Sequence, residues 1–427
     1  MQVCRRWRYI VLESASYLRL TLVCTRGTPV ADMLVHSPPL PIIIDHVDQD
    51  YDLATEDEEG IIHALKHRNR VRRIRLRKSV PVLERLVNSL DGEFTILEYL
   101  FVRSQEHVRP TIKDDMALNL PETFRAPQVR HLLLMNFAIS IGSPLLTTMG
   151  NLVTLSLNLI PASAYFNPNS LLQRLSLTPQ LEILGIIFNS YYPGGNVGRR
   201  PLRTPIIARV TLPNLRWLGF KGASGYLEVL LSHLTTPLLE KLQVYFYNQL
   251  TYSIPQLQQF MSAAGNLRLK TIMLSFREDY LNVRAYPHKD AKLYTLSMEL
   301  SGRYFDWEVA SAAQVFHTLK TVFSAVEHLA LEYARHNISS EWNNEADRTQ
   351  WRELFESFGN VKTLFVDGEL VGQVSRALQP GEEESPSELL PELQVLSYPT
   401  MDPSLNVFTL FVDARQKAGS PITIVHS

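Results

Sequence analysis

Two histidines, His63 and His67, stand four residues apart in a segment patterned as a helix. At that spacing they share a face and could supply two ligands to a zinc ion. No third ligand lies near them in the sequence, so the expected state is a solvated pair and no metal. "PGGNVG" at Pro193 follows a strand-like segment, as a phosphate-cradling glycine loop would. It lacks the dinucleotide spacing and runs into Arg-Arg-Pro rather than a helix. The chain contains no P-loop lysine motif, no Gly-x-Ser-x-Gly elbow, no Cys-x-x-Cys and no His-Glu-x-x-His. The expectation is a binding protein, not an enzyme, with no cofactor.

Charge is the next chemistry to consider. "KHRNRVRRIRLRK" packs eight lysines and arginines between Lys66 and Lys78, a pattern that could contact nucleic acid. Eight acids lie just upstream, from Asp45 to Glu59, and nearly cancel it. No aromatic residues interleave with the basic ones, and the 427 residues carry a net charge of −1. Nucleic acid is therefore not expected as a partner. Glu382, Glu383 and Glu384 read as a solvated loop, and Ser385-Pro386 beside them is a low-specificity phosphorylation context. Cys4 and Cys24 are the only cysteines, which suits a reducing compartment, cytoplasmic or nuclear. No apolar run reaches the roughly 18 residues that would span a membrane.

The elements that carry these residues repeat. "TPQLEIL", "LPNLRWL", "TPLLEKL" and "LPELQVL" begin at Thr178, Leu212, Thr236 and Leu390, and "APQVRHL" at Ala126 is a fifth copy. Without the proline, the pattern [LV]-x-x-[LI]-x-apolar starts at Val71, Leu97, Val129, Leu152, Leu181, Leu215, Leu239, Leu269, Leu293, Val326, Val361 and Leu393. The intervals run from about 23 to 35 residues, at and beyond the long end of the leucine-rich-repeat range. Apolar fourth and sixth positions have period two, the mark of a strand with one buried face. A connection of about twenty residues is too long for a hairpin and suits a helical crossover between parallel strands.

Helical patterns fill the gaps, among them "SVPVLERLVNSLD", "GYLEVLLSHL" and "RTQWRELFESF". "TEDE" at Thr55 reads as a capping box. "LPIIIDHV" at Leu40 and "PITIV" at Pro421 read as further strands. "NSYYPGGNVGRRPLRTP" and "QPGEEESPSELLP" read as insertions at the rim. Stacked units of this kind predict an α/β leucine-rich-repeat solenoid, a horseshoe with parallel strands on the concave face and helices on the convex face. A doubly wound sheet also alternates strands and helices, but such sheets rarely repeat one strand motif a dozen times.

The third, fifth and seventh positions of each unit would face the concavity. The early units place Arg73, Arg75, Arg77, Tyr99, Phe101 and Arg103 there; later ones place Trp217, Tyr245, Glu299, Glu332 and Asp367. The row starts basic, turns aromatic and apolar, and ends acidic. Arginine and aromatic side chains are common anchors of protein interfaces. The row is therefore a candidate surface for a protein partner, unless arginine and tyrosine only pair with each other along the sheet.

At the start of the chain, Val3, Trp7, Ile10 and Val11 share a helical face. Val3-Cys4-x-x-Trp7 ahead of leucine-rich repeats resembles the closing helix of an F-box. "SASYLRLTLVCTRGTPVADML", "RVRRIRL", "LPETFRAPQVRHLLL", "TTPLLEKLQV", "SAVEHLALE" and "NVKTLFVDGELV" are similar to segments of mushroom-type fungal F-box proteins. That resemblance covers nearly the whole chain. It implies a substrate-recognition subunit of an SCF-type cullin ubiquitin ligase, with Val3, Cys4, Trp7, Ile10 and Val11 as a remnant of the surface that docks on a Skp-type adaptor. The first two F-box helices, with their Leu-Pro opening, have no counterpart here. The expected layout is an F-box remnant and linker over 1–36 and a solenoid over 37–427. A free-standing interaction scaffold, with the first helix as a cap, is the alternative.

Overall fold

Alternating apolar residues bury one face of a strand only when something packs on that face, and here helices do. The structure is a computed structural model and describes residues 21–36, 39–47, 54–105, 117–189, 209–247, 251–277, 280–301, 305–334, 344–379, 389–399 and 407–426. It divides into two units, Met1–Leu215 and Arg216–Ser427.

In the first unit seven strands follow one another across the sheet in chain order. They are β1 (Leu22–Cys24), β2 (Ile42–His46), β3 (Val71–Lys78), β4 (Tyr99–Ser104), β5 (His131–Met135), β6 (Thr154–Ile160) and β7 (Ile183–Phe188). All neighbouring pairs are parallel. The crossovers hold α1 (Val30–His36), α2 (Thr55–Leu65), α3 (Val80–Asn88), α4 (Pro144–Thr147) and α5 (Pro168–Leu175). Proline occupies the first turn of α3, α4 and α5, where no backbone donor is needed. On α3, Leu83, Leu86 and Val87 are fully buried, as the helical spacing requires.

β1 adds to the edge of the sheet, where Leu22, Val23 and Cys24 pair with Ile42, Ile43 and Ile44. One expectation changes here. The capping box at Thr55 does not form: Ala54 is the N-cap, and no side chain caps the helix. Glu58, which should reach back, is held instead by Arg85 of α3, with Nε–Oε1 at 2.5 Å and Nη2–Oε2 at 2.7 Å. A two-pronged charge-assisted pair outcompetes a cap. Asp57 is buried and accepts the Gly27 backbone N–H at 2.7 Å. Gly27 sits at φ 70°, a left-handed turn that a side chain would strain.

In the second unit the strands of the large sheet are β8 (Trp217–Gly222), β9 (Lys241–Phe246), β10 (Thr271–Phe276), β11 (Tyr280–Tyr286), β12 (Leu296–Ser301), β13 (His328–Tyr333), β14 (Thr363–Val366), β15 (Val395–Tyr398) and β16 (Thr423–His426). Their order is β8-β9-β12-β11-β10-β13-β14-β15-β16. Between them run α6 (Ser224–Ser232), α7 (Pro255–Ala263), α8 (Phe305–Thr318), α9 (Lys320–Phe323), α10 (Asn344–Phe355), α11 (Val371–Leu378) and α12 (Thr409–Lys417). β11 is antiparallel to both its neighbours, while the other pairs are parallel. The expectation of parallel strands alone is corrected at this point. β10, β11 and β12 form a meander, and it reverses the chain order locally.

The repeat leucines register the same break. Val71, Leu97, Val129, Leu152, Leu181, Leu215, Leu239, Leu269, Val326, Val361 and Leu393 are all buried, but Leu293 is 78% exposed. Its strand is entered from an antiparallel hairpin and not from a helical crossover, so no core lies beneath it.

Candidate interaction surface

With alternate residues committed to the core, the remaining ones form an open face. In the first unit the strand register sets them in cross-strand rows. Arg73 aligns with Tyr99, Tyr99 with His131, and His131 with Thr154. Asp45 aligns with Arg75, Arg75 with Phe101, and Phe101 with Leu133. Arg77 aligns with Arg103.

The first row is internally bonded. The Arg73 guanidinium lies 4.4 Å from the Tyr99 ring centre, and the Tyr99 and His131 rings are 5.6 Å apart. His131 Nδ1 and Thr154 Oγ1 are 3.0 Å apart. Burial, with the charges of Arg130 and Arg73 beside it, holds the His131 imidazole below its usual range. In the second row Arg75 Nη1 donates to Asp45 Oδ2 at 2.8 Å. The pairing of arginine with tyrosine along the sheet occurs at Arg73, while Arg75 pairs with Asp45 instead. It fails at the third row: Arg77 is half-buried, Arg103 is exposed, and neither has a carboxylate partner among the described residues. The Nε atoms of Arg73, Arg75 and Arg77 are buried without an acceptor.

On the open face of the second unit three side chains meet Tyr294, a residue that the repeat pattern places off the strand. Lys241 Nζ stands 4.0 Å from its ring centre and the Arg284 guanidinium 5.9 Å. Gln243 Nε2 hydrogen-bonds its hydroxyl. Only the meander brings Arg284 to this place, so no reading of repeat positions could have found the group. Trp217 lies flat over Gly219, where a Cβ would meet the indole Cζ2 at 2.8 Å. Tyr245 is half-buried, hydrogen-bonds Ser297, and has its hydroxyl pKa raised by burial and by Tyr294 and Glu299.

Along the next row Lys221, Tyr245, Glu299, Asn282, Ser275 and Glu332 are successive neighbours. Burial raises the Glu299 carboxyl above the usual range, against the pull of Lys221 and Arg277. Asn282 is buried, and its Oδ1 has no hydrogen-bond partner. Asp367 is engaged elsewhere: its carboxylate accepts the N–H of Tyr333 and of Glu369, both at 3.4 Å.

The remaining candidates are quickly placed. His63 and His67 meet edge to face at 5.7 Å, and no cluster of three metal-ligating side chains occurs among the described residues. Cys24 is buried in β1, and desolvation pushes its thiol up to about 11, so it is no nucleophile at neutral pH. Val3, Cys4, Trp7, Ile10 and Val11 lie outside the described residues. No described helix is long and apolar enough to cross a membrane.

No family model and no curated protein matches the chain. Among solved structures it is similar to the leucine-rich repeat-containing protein LegL7 from Legionella pneumophila, at 12% identity and a TM-score of 0.31, over 95% of this chain and 99% of that one.

Proposed function

We propose that the chain is a leucine-rich-repeat scaffold that holds a protein partner on the open faces of its strands and performs no chemistry itself. The observation that carries this reading is the third row of the first unit, where Arg77 and Arg103 stand side by side, next to Phe101, without a carboxylate partner among the described residues. A face built only for its own stability would pair those charges, because like charges opposite one another across strands are destabilising. Arginine beside an aromatic ring is also what binding surfaces concentrate at their centres.

The finer reading is a substrate receptor of an SCF-type ligase. It rests on the resemblance of Val3-Cys4-x-x-Trp7 and the segments behind it to F-box proteins.

Two experiments address these levels separately. Photo-crosslinked partner capture from cell extract should fall at least tenfold in the triple variant Arg75→Ala, Trp217→Ala, Tyr245→Ala, with its circular dichroism unchanged. Unchanged capture would reject the open-face reading. Purified Skp-type adaptor should co-purify with the chain, and substitution of Trp7 should abolish that. An adaptor that never binds removes the ligase link and leaves the scaffold.

A further inference from the structure

From the first unit's open face we infer the chemistry of the partner: an extended acidic segment, with carboxylates at alternate residues and an apolar side chain between them. The inference rests on the scaffold reading above and deepens it.

Arg73, Arg75 and Arg77 project from one strand at every second residue, so their stems are about 6.6 Å apart. An extended peptide repeats its own side chains at the same interval, so alternate carboxylates match successive arginines. Among the described residues the charge on this face is unbalanced. Arg73, Arg75, Arg77 and Arg103 stand against Asp45 as the carboxylate that one of them contacts. Arg73 is stacked on Tyr99, which leaves its charge in place. Arg75 gives Asp45 one Nη1 donor, and the other donors of its fork have no carboxylate among the described residues. Arg77 and Arg103 face each other across neighbouring strands, and a carboxylate between them would satisfy both forks. Phe101 lies between Arg75 and Leu133 in the adjoining row, a half-buried apolar strip on β4 and β5 that takes the intervening side chains of a peptide set on edge, with its carboxylate row over β3.

Nucleic acid fits this face less well. Binding to a phosphate backbone at physiological salt draws on many contacts, roughly six to ten in strong cases. Among the described residues of this face the cations without a carboxylate or a ring against them are two, Arg77 and Arg103.

The test is fluorescence anisotropy on the full chain with three labelled probes. They are a synthetic peptide alternating glutamate with phenylalanine or leucine, its glutamine counterpart, and its lysine counterpart. A single-stranded RNA of equal length serves as competitor. The glutamate peptide should bind saturably and weaken as salt is raised, and the glutamine peptide should bind at least tenfold more weakly. In the double variant Arg77→Glu, Arg103→Glu, the glutamate peptide should be lost and the lysine peptide gained. Gain of a ligand cannot come from misfolding. Arg268→Glu, at an exposed arginine of the second unit, should change neither.

Equal binding of the glutamine peptide, no exchange of preference in the double variant, or tighter binding of RNA would each overturn the inference. If any of these occurs while partner capture still depends on Arg75, Trp217 and Tyr245, the acidic specificity alone falls. If that dependence is also missing, the scaffold reading falls with it.

Discussion

The two units solve one stacking problem in different ways, and their polar bonds record it. In the first unit, side chains reach partners one repeat away: Arg75 to Asp45 across 30 residues, Arg85 to Glu58 across 27 and His131 to Thr154 across 23. In the second unit some bonds keep that interval, such as His328 to Thr363 across 35 and the Gln256 N–H to Glu228 across 28. Others span about two repeats: Lys270 to Glu327 across 57, Gln243 to Tyr294 across 51 and Gln258 to Thr321 across 63. The doubled intervals flank or enter the β10–β12 meander, which folds back on itself before the parallel array resumes. A repeat in the sequence thus fixes which residues are buried. It does not fix which strand becomes a neighbour, and neighbours decide the chemistry of an open face.

The largest expected effect tests whether damage stays local, as nearest-neighbour stacking requires. Trp351 on α10 is fully buried, meets Phe276 of β10 edge to face at 5.6 Å, and stacks on Phe355 at 5.8 Å. Its Nε1 donates to Gln373 Oε1 at 3.3 Å. Trp351→Ala should cost about 3–5 kcal/mol in urea unfolding. Amides of β10 and β13 should exchange faster in hydrogen–deuterium exchange, while those of β2, β3 and β4 keep their rates. Uniform acceleration in both units would show that the chain opens as one body and that the contrast between them has no energetic meaning.

The sequence made the strands legible because each must bury alternate residues, and eleven of the twelve repeat starts are buried as the pattern requires. Leu293 misled because Leu-x-x-Leu arises whenever an apolar strand follows an exposed leucine; the motif alone says nothing of strand direction. β11 was invisible for a related reason: "YLNVRAY" alternates correctly but lacks the repeat's leading leucine. The cross-strand neighbours of Arg73 and Arg75 follow from the repeat, since their strands stack in chain order. Those of Tyr294 do not, because its partners Lys241 and Arg284 reach it only through the reversal. The failed cap at Thr55 is a third kind of miss, in which a partner one repeat away took Glu58 from a local bond.

A smaller effect separates the two open faces by pH. Glu299 has its carboxyl pKa raised by burial above the ordinary 4.5. The folded chain therefore holds this proton more tightly than the unfolded chain, and stability falls as pH rises from 4.5 through the folded value. Histidines run the opposite way in both units: burial lowers His131 and His328 below 6.5, so their contribution is present above 6.5 and is lost as pH falls through the folded value. Glu299 is thus the group that distinguishes the second face. Glu299→Gln should raise the melting temperature at neutral pH and leave it unchanged below pH 4.5. A variant less stable than the parent at neutral pH would mean that Lys221 and Arg277 outweigh desolvation, and that opposite charges steady this part of the second face as Arg75 and Asp45 do in the first.

The smallest effect compares the cation–ring contacts. Arg73 over Tyr99 at 4.4 Å and Lys241 over Tyr294 at 4.0 Å look equivalent as pairs. Each partly exposed contact is worth about 0.5–1 kcal/mol. Tyr99 also meets His131 through its ring, whereas the Tyr294 hydroxyl is hydrogen-bonded by Gln243, which neutral bonds value at about 1 kcal/mol. Leucine keeps the apolar volume in either place and removes the ring face and the hydroxyl. Tyr294→Leu should therefore cost roughly 1 kcal/mol more than Tyr99→Leu in paired urea titrations. Tyr99→Leu should also free the Arg73 guanidinium and strengthen the affinity of the first face for the glutamate peptide, while Tyr294→Leu leaves that affinity unchanged. Equal costs for the two variants, with no change in peptide affinity, would mean that both rings serve only as apolar surface. The arginines of the first unit would then owe their placement to the sheet alone.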